Sequence, residues 1–371
     1  MEHGPAEPRL SFLPPVLCDD VIPAIAGQAP RTGAIRGGVT VQPIVKVAFV
    51  SWMAAALPVA AQQGKPAAGT GNYPSKSIRL VVPSAPGGGT DIIARLIAQG
   101  LTDGWGQTVV VDNRGGAGGI AGVTIVARQS APDGYTMLLG SVGHLTFAPA
   151  IDRNLGYDPQ KDLAPISLAA VQPFVVAVSN SLPARSIKEL VALAKAKPGS
   201  ISYGSGGSGA ASHLSVELMM IEGGFNLLHV PYKGSNPAIT AVMAGEIQVA
   251  FAGLQTTLPH ARAGKLRALA VTGAKRAQFA PELPTVAEAG VPGYAFDVWY
   301  GLTYTGGTPR AIVRKANAEV VRMLKSPEVA SRFALAGVEP VTSTPEAFAD
   351  MIRQEIPKWT KVARAAKLRV D

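Results

Sequence analysis

Twice along the chain a short β-branched run ends in a glycine-rich loop and passes directly into a helix with one apolar face. The first copy is 78–83 (IRLVVP), the loop 84–89, and a helix from Asp91 to about Leu101 with Ile93, Leu96, Ile97 and Leu101 on one side. The second is 201–203, the loop 204–209, and a helix from about Ser212 to Ile221. Strand, tight loop and helix in this order point to an α/β fold with mostly parallel sheet. Further strands are read at 109–111, 135–139, 174–178, 228–230, 247–251 and 266–272. Helices are read at 120–128, at 187–196 and from Pro237 to Gly245, and Thr90 can cap the first helix. The C-terminal part reads as helical. Ile312, Val313, Ala316, Val320 and Leu324 share a face, and Ser343-Thr344-Pro345-Glu346 matches a capping box. Phe348, Ile352, Ile356, Trp359, Ala363 and Ala366 then form a core-packing stripe that Pro357 should kink. At 371 residues the chain is long enough for about two domains.

Cys18 is the lone cysteine, so no disulfide framework or multi-cysteine metal site is possible. Residues 46–61 (KVAFVSWMAAALPVAA) read as a secretory signal peptide, with Val59 and Ala61 as the small residues of a cut before Gln62. The apolar stretch falls short of the ~20 residues a membrane span needs. The Pro- and Gly-rich residues before Lys46 are unusual for such a leader, and translation starting nearer Lys46 is the simplest account of them. Residues 62–72 read as a flexible leader, and with no cysteine after the apolar stretch a lipid anchor is not expected. The net charge is +9, but the Lys and Arg residues are scattered, aromatics are 6% and no nucleic-acid motif occurs. Small anions fit this balance best, and no nucleic-acid partner is expected.

The two loops carry the chemistry. A helix N-terminus offers unpaired N–H groups and a partial positive charge. Glycines let an anion approach them without help from a charged side chain. Hydrogen bonds to a charged acceptor contribute about 1.5–3 kcal/mol each. Three or four would support micromolar binding, about −8 kcal/mol. Neither loop ends in the Gly-Lys-Ser/Thr of a nucleotide phosphate loop. Gly206-x-Ser208 lacks the second glycine of a nucleophile elbow, because residue 210 is Ala210. Gly204-x-Gly206-x-x-Gly209 fits a dinucleotide pattern only weakly, and an ordinary strand-to-helix turn is the competing account of either loop. Ser141 and His144 follow a strand end, where ligands of α/β sheets bind. His213 stands in a first helical turn, and Asp91 either steadies a helix dipole or accepts from a ligand. His229 and His260 have no metal-ligand partners at suitable spacing. The run 115–122 (GGAGGIAG) reads as close helix packing. No catalytic residue, metal or cofactor is implied.

Several motifs together resemble the Bug family, periplasmic receptors of tripartite tricarboxylate transporters. They include Pro83…Pro86-Gly87-Gly88-Gly89-Thr90-Asp91, Val111-Asp112-Asn113-Arg114-Gly115-Gly116, Ala131-Pro132-Asp133-Gly134-Tyr135 and Tyr203-Gly204-Ser205-Gly206…Gly209…His213. His229-Val230-Pro231-Tyr232-Lys233-Gly234 and Pro284-Thr285-Val286-Ala287-Glu288-Ala289-Gly290 also match, and the likeness spans about 73–371. The resemblance implies a two-lobed clamshell of periplasmic binding protein type, each lobe a mostly parallel sheet flanked by helices. Lobe 1 would hold 73–172 plus 300–371, and lobe 2 173–299. It implies that a ligand carboxylate is met by Ser84, Ala85, Gly87, Gly88 and Asp91 of the first loop. Ser205, Gly206, Gly207, Ser208, Gly209 and Ser212 of the second would complete the grip. Ser141, His144, Lys233, Gly234 and Ala238 would meet the ligand's distal end. Many relatives carry Asp where this chain has Ala252, which removes a partner for a cationic ligand group.

The leading expectation is thus a monomeric periplasmic receptor of a Gram-negative bacterium. It would deliver a small organic carboxylate to the large and small membrane subunits of a transporter. Two alternatives are kept. One is an α/β enzyme using His144 or His213 as a general base, for which no nucleophile or paired carboxylates speak. The other is a ligand sensor without a transporter.

Overall fold

The computed structural model describes residues 71–152 and 154–365. The signal-peptide segment 46–61, Cys18, nearly all of the leader and Ala366 lie outside the described residues. In chain order the elements begin β1 (Ile78–Val82), α1 (Gly89–Trp105), β2 (Val109–Asn113), a 3₁₀ turn (Ala117–Gly119), α2 (Ile120–Gln129) and β3 (Thr136–Ser141). A π-helical turn (Gly143–Phe147), α3 (Ala148–Ile151), β4 (Leu163–Val178), α4 (Ile187–Ala196), β5 (Ser202–Ser205) and α5 (Ala211–Gly223) follow. Next come β6 (Leu228–Pro231), α6 (Ser235–Ala244), β7 (Val249–Gly253), α7 (Leu254–Arg262), β8 (Arg267–Val271) and α8 (Val286–Ala289). The last are β9 (Asp297–Thr305), α9 (Arg310–Leu324), α10 (Pro327–Leu335), β10 (Glu339–Pro340) and α11 (Pro345–Ala365).

Strands lie in the order β2-β1-β3-β9-β4-β7-β5-β6, with β10 and β8 also pairing to β4. The expected parallel pairing holds within each repeated unit, β2-β1-β3 and β6-β5-β7. Between the units run β4 and β9, which pair antiparallel with each other and with their neighbours. The sheets are therefore mixed. Residues 163–173 of β4 pair with β9, and 174–178 pair with β7 and β8. The chain thus leaves one sheet between Pro173 and Phe174, and returns to it at Asp297. Phe174 and Phe296 stack across this crossing at 6.2 Å.

The sequence had shown only 174–178 of β4 and none of β9. Pro165 and Pro173 interrupt β4, and its register shifts at Pro165/Ser167 and Leu168/Ala170, as expected where proline meets a ladder. β9 (DVWYGLTYT) is almost wholly buried and shows no alternation; its Gly301 leaves room for the Phe348 ring, with which a Cβ would collide.

The helices bury the faces their spacing marked. In α1, Ile93, Ile97 and Leu101 are fully buried and Leu96 is half-buried, while Ile312, Val313, Ala316, Val320 and Leu324 line the inner side of α9. Each such Ile or Leu contributes about 1.5–3 kcal/mol of burial energy. The caps differ from expectation in two places. Thr90 lies inside α1, whose N-cap is Gly88. Thr344, not Ser343, caps α11 by accepting from the Ala347 N–H, 3.1 Å. Ser343 is instead strapped to β4: its hydroxyl accepts from Leu168 N–H and its own N–H reaches Ser167 Oγ, both at 3.0 Å. α11 continues through Pro357.

Candidate functional site

Four strand-to-helix junctions open onto one small cavity. The helices are α1, α5, α6 and α7, and their N-caps are Gly88, Ala210, Gly234 and Gly253. None of these caps carries a side-chain hydrogen bond to the helix. Elsewhere Ser186, Thr285 and Thr344 cap α4, α8 and α11 with their hydroxyls, while α2, α9 and α10 also lack a side-chain cap. The cavity is about 50 Å³ and is lined by Pro83, Ser84, Gly89, Thr90, Gly118, Ser141, His144, Phe174, Gly206, Ala210, Ala211, Ser212, Gly234, Ser235, Gly253 and Tyr300. No Asp, Glu, Lys or Arg side chain is among them. The polarity comes from first-turn N–H groups and from hydroxyls. That arrangement accommodates an anion through oriented dipoles. Ser84 Oγ is buried without a hydrogen-bond partner in the protein.

The first loop is shaped by one carboxylate. Asp91 is 2% exposed, and its Oδ2 accepts from the Gly87 N–H and from Arg95 Nε, both at 2.9 Å. Its Oδ1 accepts from Asn113 Nδ2 at 3.0 Å. Burial pushes this carboxyl upward, but the bonds from Arg95, Gly87 and Asn113 outweigh that and hold it below its ordinary value. Asp91 therefore turns inward to fold the loop, with Gly87 at φ +74°.

The second loop is shaped by two hydroxyls and an imidazole. The Gly206 N–H donates to Ser212 Oγ (2.9 Å), the Gly207 N–H to Ser205 Oγ (3.0 Å) and the Gly209 N–H to His213 Nδ1 (3.2 Å). Behind it lies a stack of rings, with Tyr203 and His213 buried and His229 half-buried. His213 and His229 are parallel at 4.2 Å, Tyr203 covers His229 at 4.8 Å, and the Tyr203 hydroxyl donates to Glu217 at 2.6 Å. His229 Nε2 and Ser205 Oγ are 2.6 Å apart. Burial, then the neighbouring His213, pull the His229 imidazole down to about 4.

Glycines let the two sides meet. A Cβ on Gly118 would collide with the Ser208 carbonyl, and one on Gly207 would lie 2.6 Å from Gly118 Cα. Gly118 and Gly207 have φ of +65° and +116°, which disfavours any side chain there. The run 115–122 therefore belongs to the contact across the cleft as well as to helix packing. His144 stands beside it, 6% exposed, with Nδ1 3.0 Å from Ser141 Oγ. Burial pulls its imidazole down to about 4 despite a backbone hydrogen bond with Gly118.

Of the sixteen residues singled out from sequence, six line the cavity: Ser84, Ser141, His144, Gly206, Ser212 and Gly234. Ala85 approaches Gly234 across the cleft, and Gly88 lies near Ser235. Gly207 and Ser208 meet Gly118 across the cleft, and Gly87, Asp91, Ser205 and Gly209 take part in the hydrogen bonds that fold the loops. Lys233 is exposed. Ala238 is 2% exposed, inside an apolar cluster with Ile239, Val242 and Ile247. Sequence reasoning missed Pro83, Gly89, Thr90, Gly118, Phe174, Ala210, Ala211, Ser235, Gly253 and Tyr300. A glycine ending a buried strand directly before a helix was the available signal for Gly253.

Two α/β halves joined by crossing strands, with uncapped helix ends facing one cleft, define a periplasmic binding protein fold. The family model described as "Tripartite tricarboxylate transporter family receptor" matches residues 93–368, and the chain belongs to this family. It is similar to "Protein BugT" of Bordetella pertussis, 36% identical over 300 residues, covering 80% of this chain and 92% of that protein. Two solved structures share the fold closely. "Structure of periplasmic binding protein BugD" is 35% identical with a TM-score of 0.76, covering 80% of this chain and 99% of that one. "R. palustris Rpa4515 with adipate" is 37% identical with a TM-score of 0.76, over 80% and 99%. Among the described residues no helix is long and apolar enough to cross a membrane, and no group of three or more His, Cys, Asp or Glu side chains is placed to hold a metal ion.

Proposed function

We propose that the protein is a periplasmic receptor that closes on a small organic carboxylate and hands it to the membrane subunits of a tripartite tricarboxylate-type transporter. The observation that carries this reading is the convergence of four uncapped helix N-termini on a cavity without a charged side chain. An anion there completes hydrogen bonds that the caps leave open. The N–H groups of Gly206, Gly207 and Gly209 are taken up within their own loop. The ligand's carboxylate is therefore held by the first turns of α1, α5 and α6 and by the hydroxyl of Ser84. The adipate carried by the R. palustris relative is a carboxylate, which agrees with this choice. The two lobes, 73–172 with 300–371 and 173–299, hinge at the crossings of β4 and β9. The Gly118–Gly207 contact belongs to their closed form.

The role is capture rather than turnover. Ser141 and His144 are hydrogen-bonded, but an imidazole pulled down to about 4 is a weak base at neutral pH, and no carboxylate backs it. The test is calorimetry of the purified protein against mono-, di- and tricarboxylates, in parallel with Ala210→Asp. Aspartate at an N-cap suits the helix and places an anion where the ligand carboxylate would sit. The reading expects a carboxylate to bind the parent and not the variant, with the variant folded. Equal binding by both would refute it.

A further inference from the structure

Unpaired cations gather on the outward face of the last helix. The second half of α11, residues 356–365 (IPKWTKVARA), holds three cations and no acid. Phe348, Ile352 and Ala363 are buried and Trp359 packs against the core, so the opposite side meets solvent. Pro357, Lys358, Lys361 and Arg364 are all exposed there. At about 100° per residue they fall within about 120° of the helix circumference, over roughly 10 Å of its length. None of the three cations makes a salt bridge or hydrogen bond with another described residue. On the same C-terminal helices, by contrast, Arg322, Arg332 and Arg353 are paired with Glu319, Glu328 and Asp350. Glu355, the acid nearest in sequence, turns inward and accepts from the Trp299 and Trp359 indoles at 3.2 and 3.4 Å. A cation in a last helical turn complements the helix dipole, which accounts for Arg364 but not for Lys358, about two turns earlier. The sequence beyond stays basic, with Lys367 and Arg369 ahead of Asp371.

We propose that this face of α11 is a docking surface for an anionic lipid bilayer. A plane of phosphate headgroups presents many mobile negative charges, which suits flexible cations that diverge along a convex helix. A protein partner would need an aromatic or aliphatic anchor, and Pro357 alone among the four exposed residues is apolar. The apolar side of α11 is spent on the core, so the contact is peripheral and electrostatic, acting within the ~8 Å Debye length of physiological salt. α9 also carries exposed cations, Arg310, Arg314 and Lys325, but Glu319 and Glu328 stand among them. A receptor that hands its ligand to membrane subunits, as proposed above, gains from such contact, because its search then runs along the bilayer.

The test is sedimentation of the exported protein with vesicles of equal parts phosphatidylglycerol and phosphatidylcholine, and with vesicles of phosphatidylcholine alone. The exported form is used because the apolar segment 46–61 would itself seek a bilayer. The anionic vesicles should carry the protein down at low ionic strength and release it in high salt, and the neutral ones should not bind it. Each cation near an anionic surface contributes about fivefold in affinity, about 1 kcal/mol. The triple change Lys358→Gln, Lys361→Gln and Arg364→Gln should therefore weaken vesicle binding about a hundredfold. The triple change Arg310→Gln, Arg314→Gln and Lys325→Gln removes the same net charge from α9 and should cost less than about threefold. Thermal melts of both variants should match the parent. The proposal is overturned if the parent ignores anionic vesicles, if neutral vesicles bind it as well, or if the α11 variant keeps its affinity. It is also overturned if the two variants lose equally, as net charge alone would dictate. None of these outcomes touches the carboxylate reading, because Lys358, Lys361 and Arg364 do not line the cavity.

Discussion

The two glycine loops occupy equivalent places in the two halves and are held in opposite ways. The first is drawn together by a charge: one buried carboxylate, Asp91, gathers the Gly87 N–H, Arg95 and Asn113. The second is drawn together by two hydroxyls and an imidazole, those of Ser205, Ser212 and His213, with the Tyr203–His229 stack and Glu217 behind them. In both, side chains consume the loop N–H groups that point away from the cleft, and the N–H groups that start the helices are left over. What a site of this kind needs is therefore not many glycines as such, but a division of the backbone donors between the loop's own fold and the ligand.

The largest effect should come from breaking that division. Ala210→Asp supplies the N-cap acceptor that α5 lacks, so carboxylate affinity should fall more than about a hundredfold while the thermal midpoint stays within a few degrees. Calorimetry and a thermal melt on the same sample check both halves of this statement. Next in size is the charged anchor. Asp91→Ala removes three hydrogen bonds to a buried carboxylate and should cost about 3 kcal/mol in chemical denaturation. Ser212→Ala, its counterpart in the second loop, removes one neutral acceptor and should cost about 1 kcal/mol. Equal costs would erase the contrast between the loops.

Acid should separate them further. His229 is pulled from its ordinary 6.5 to about 4, so below 6.5 the unfolded chain takes up a proton that the native protein does not. Its contribution is full above 6.5 and is lost as pH falls toward 4. His144 behaves likewise. Asp91 is held below 3.8, so its contribution persists above that value and fails only as pH falls further. Stability measured against pH should thus decline first through the histidines. His229→Gln should flatten the slope between 6.5 and 4 by up to about 1.4 kcal/mol per pH unit. Comparing the two proteins cancels the opposite contribution of Asp297, whose carboxyl burial pushes up to about 6. The smallest effect is expected at Lys233, whose side chain is exposed: Lys233→Ala should change affinity less than about twofold.

The loops and the parallel units around them were legible because each is local: β-branched residues, glycines and a helical stripe follow within about twenty residues. The crossing strands were not. β4 hides behind Pro165 and Pro173, and β9 contains a glycine that only the distant Phe348 explains. The cap of α11 slipped by one residue because Ser343 and Thr344 offer the same hydroxyl, and β4 claimed the first. The site's far wall was hidden for a related reason. α7 reads LQTTLPHAR, with an internal proline and only Leu254 and Leu258 as an apolar pair, so it does not stand out as a helix. Gly118 reads as helix packing in sequence, because Gly207, which the fold brings against it, lies far along the chain.

The most direct test of the division of donors is amide NMR of the protein titrated with the carboxylate that calorimetry ranks first. The N–H signals of Gly89, Thr90, Ala211, Ser212 and Ser235 should move downfield, while those of Gly87, Gly206 and Gly207, already bonded within their loops, should move little. Shifts concentrated on Gly87, Gly206 and Gly207, or on the exposed cleft beside Arg128 and Asp158, would contradict the account.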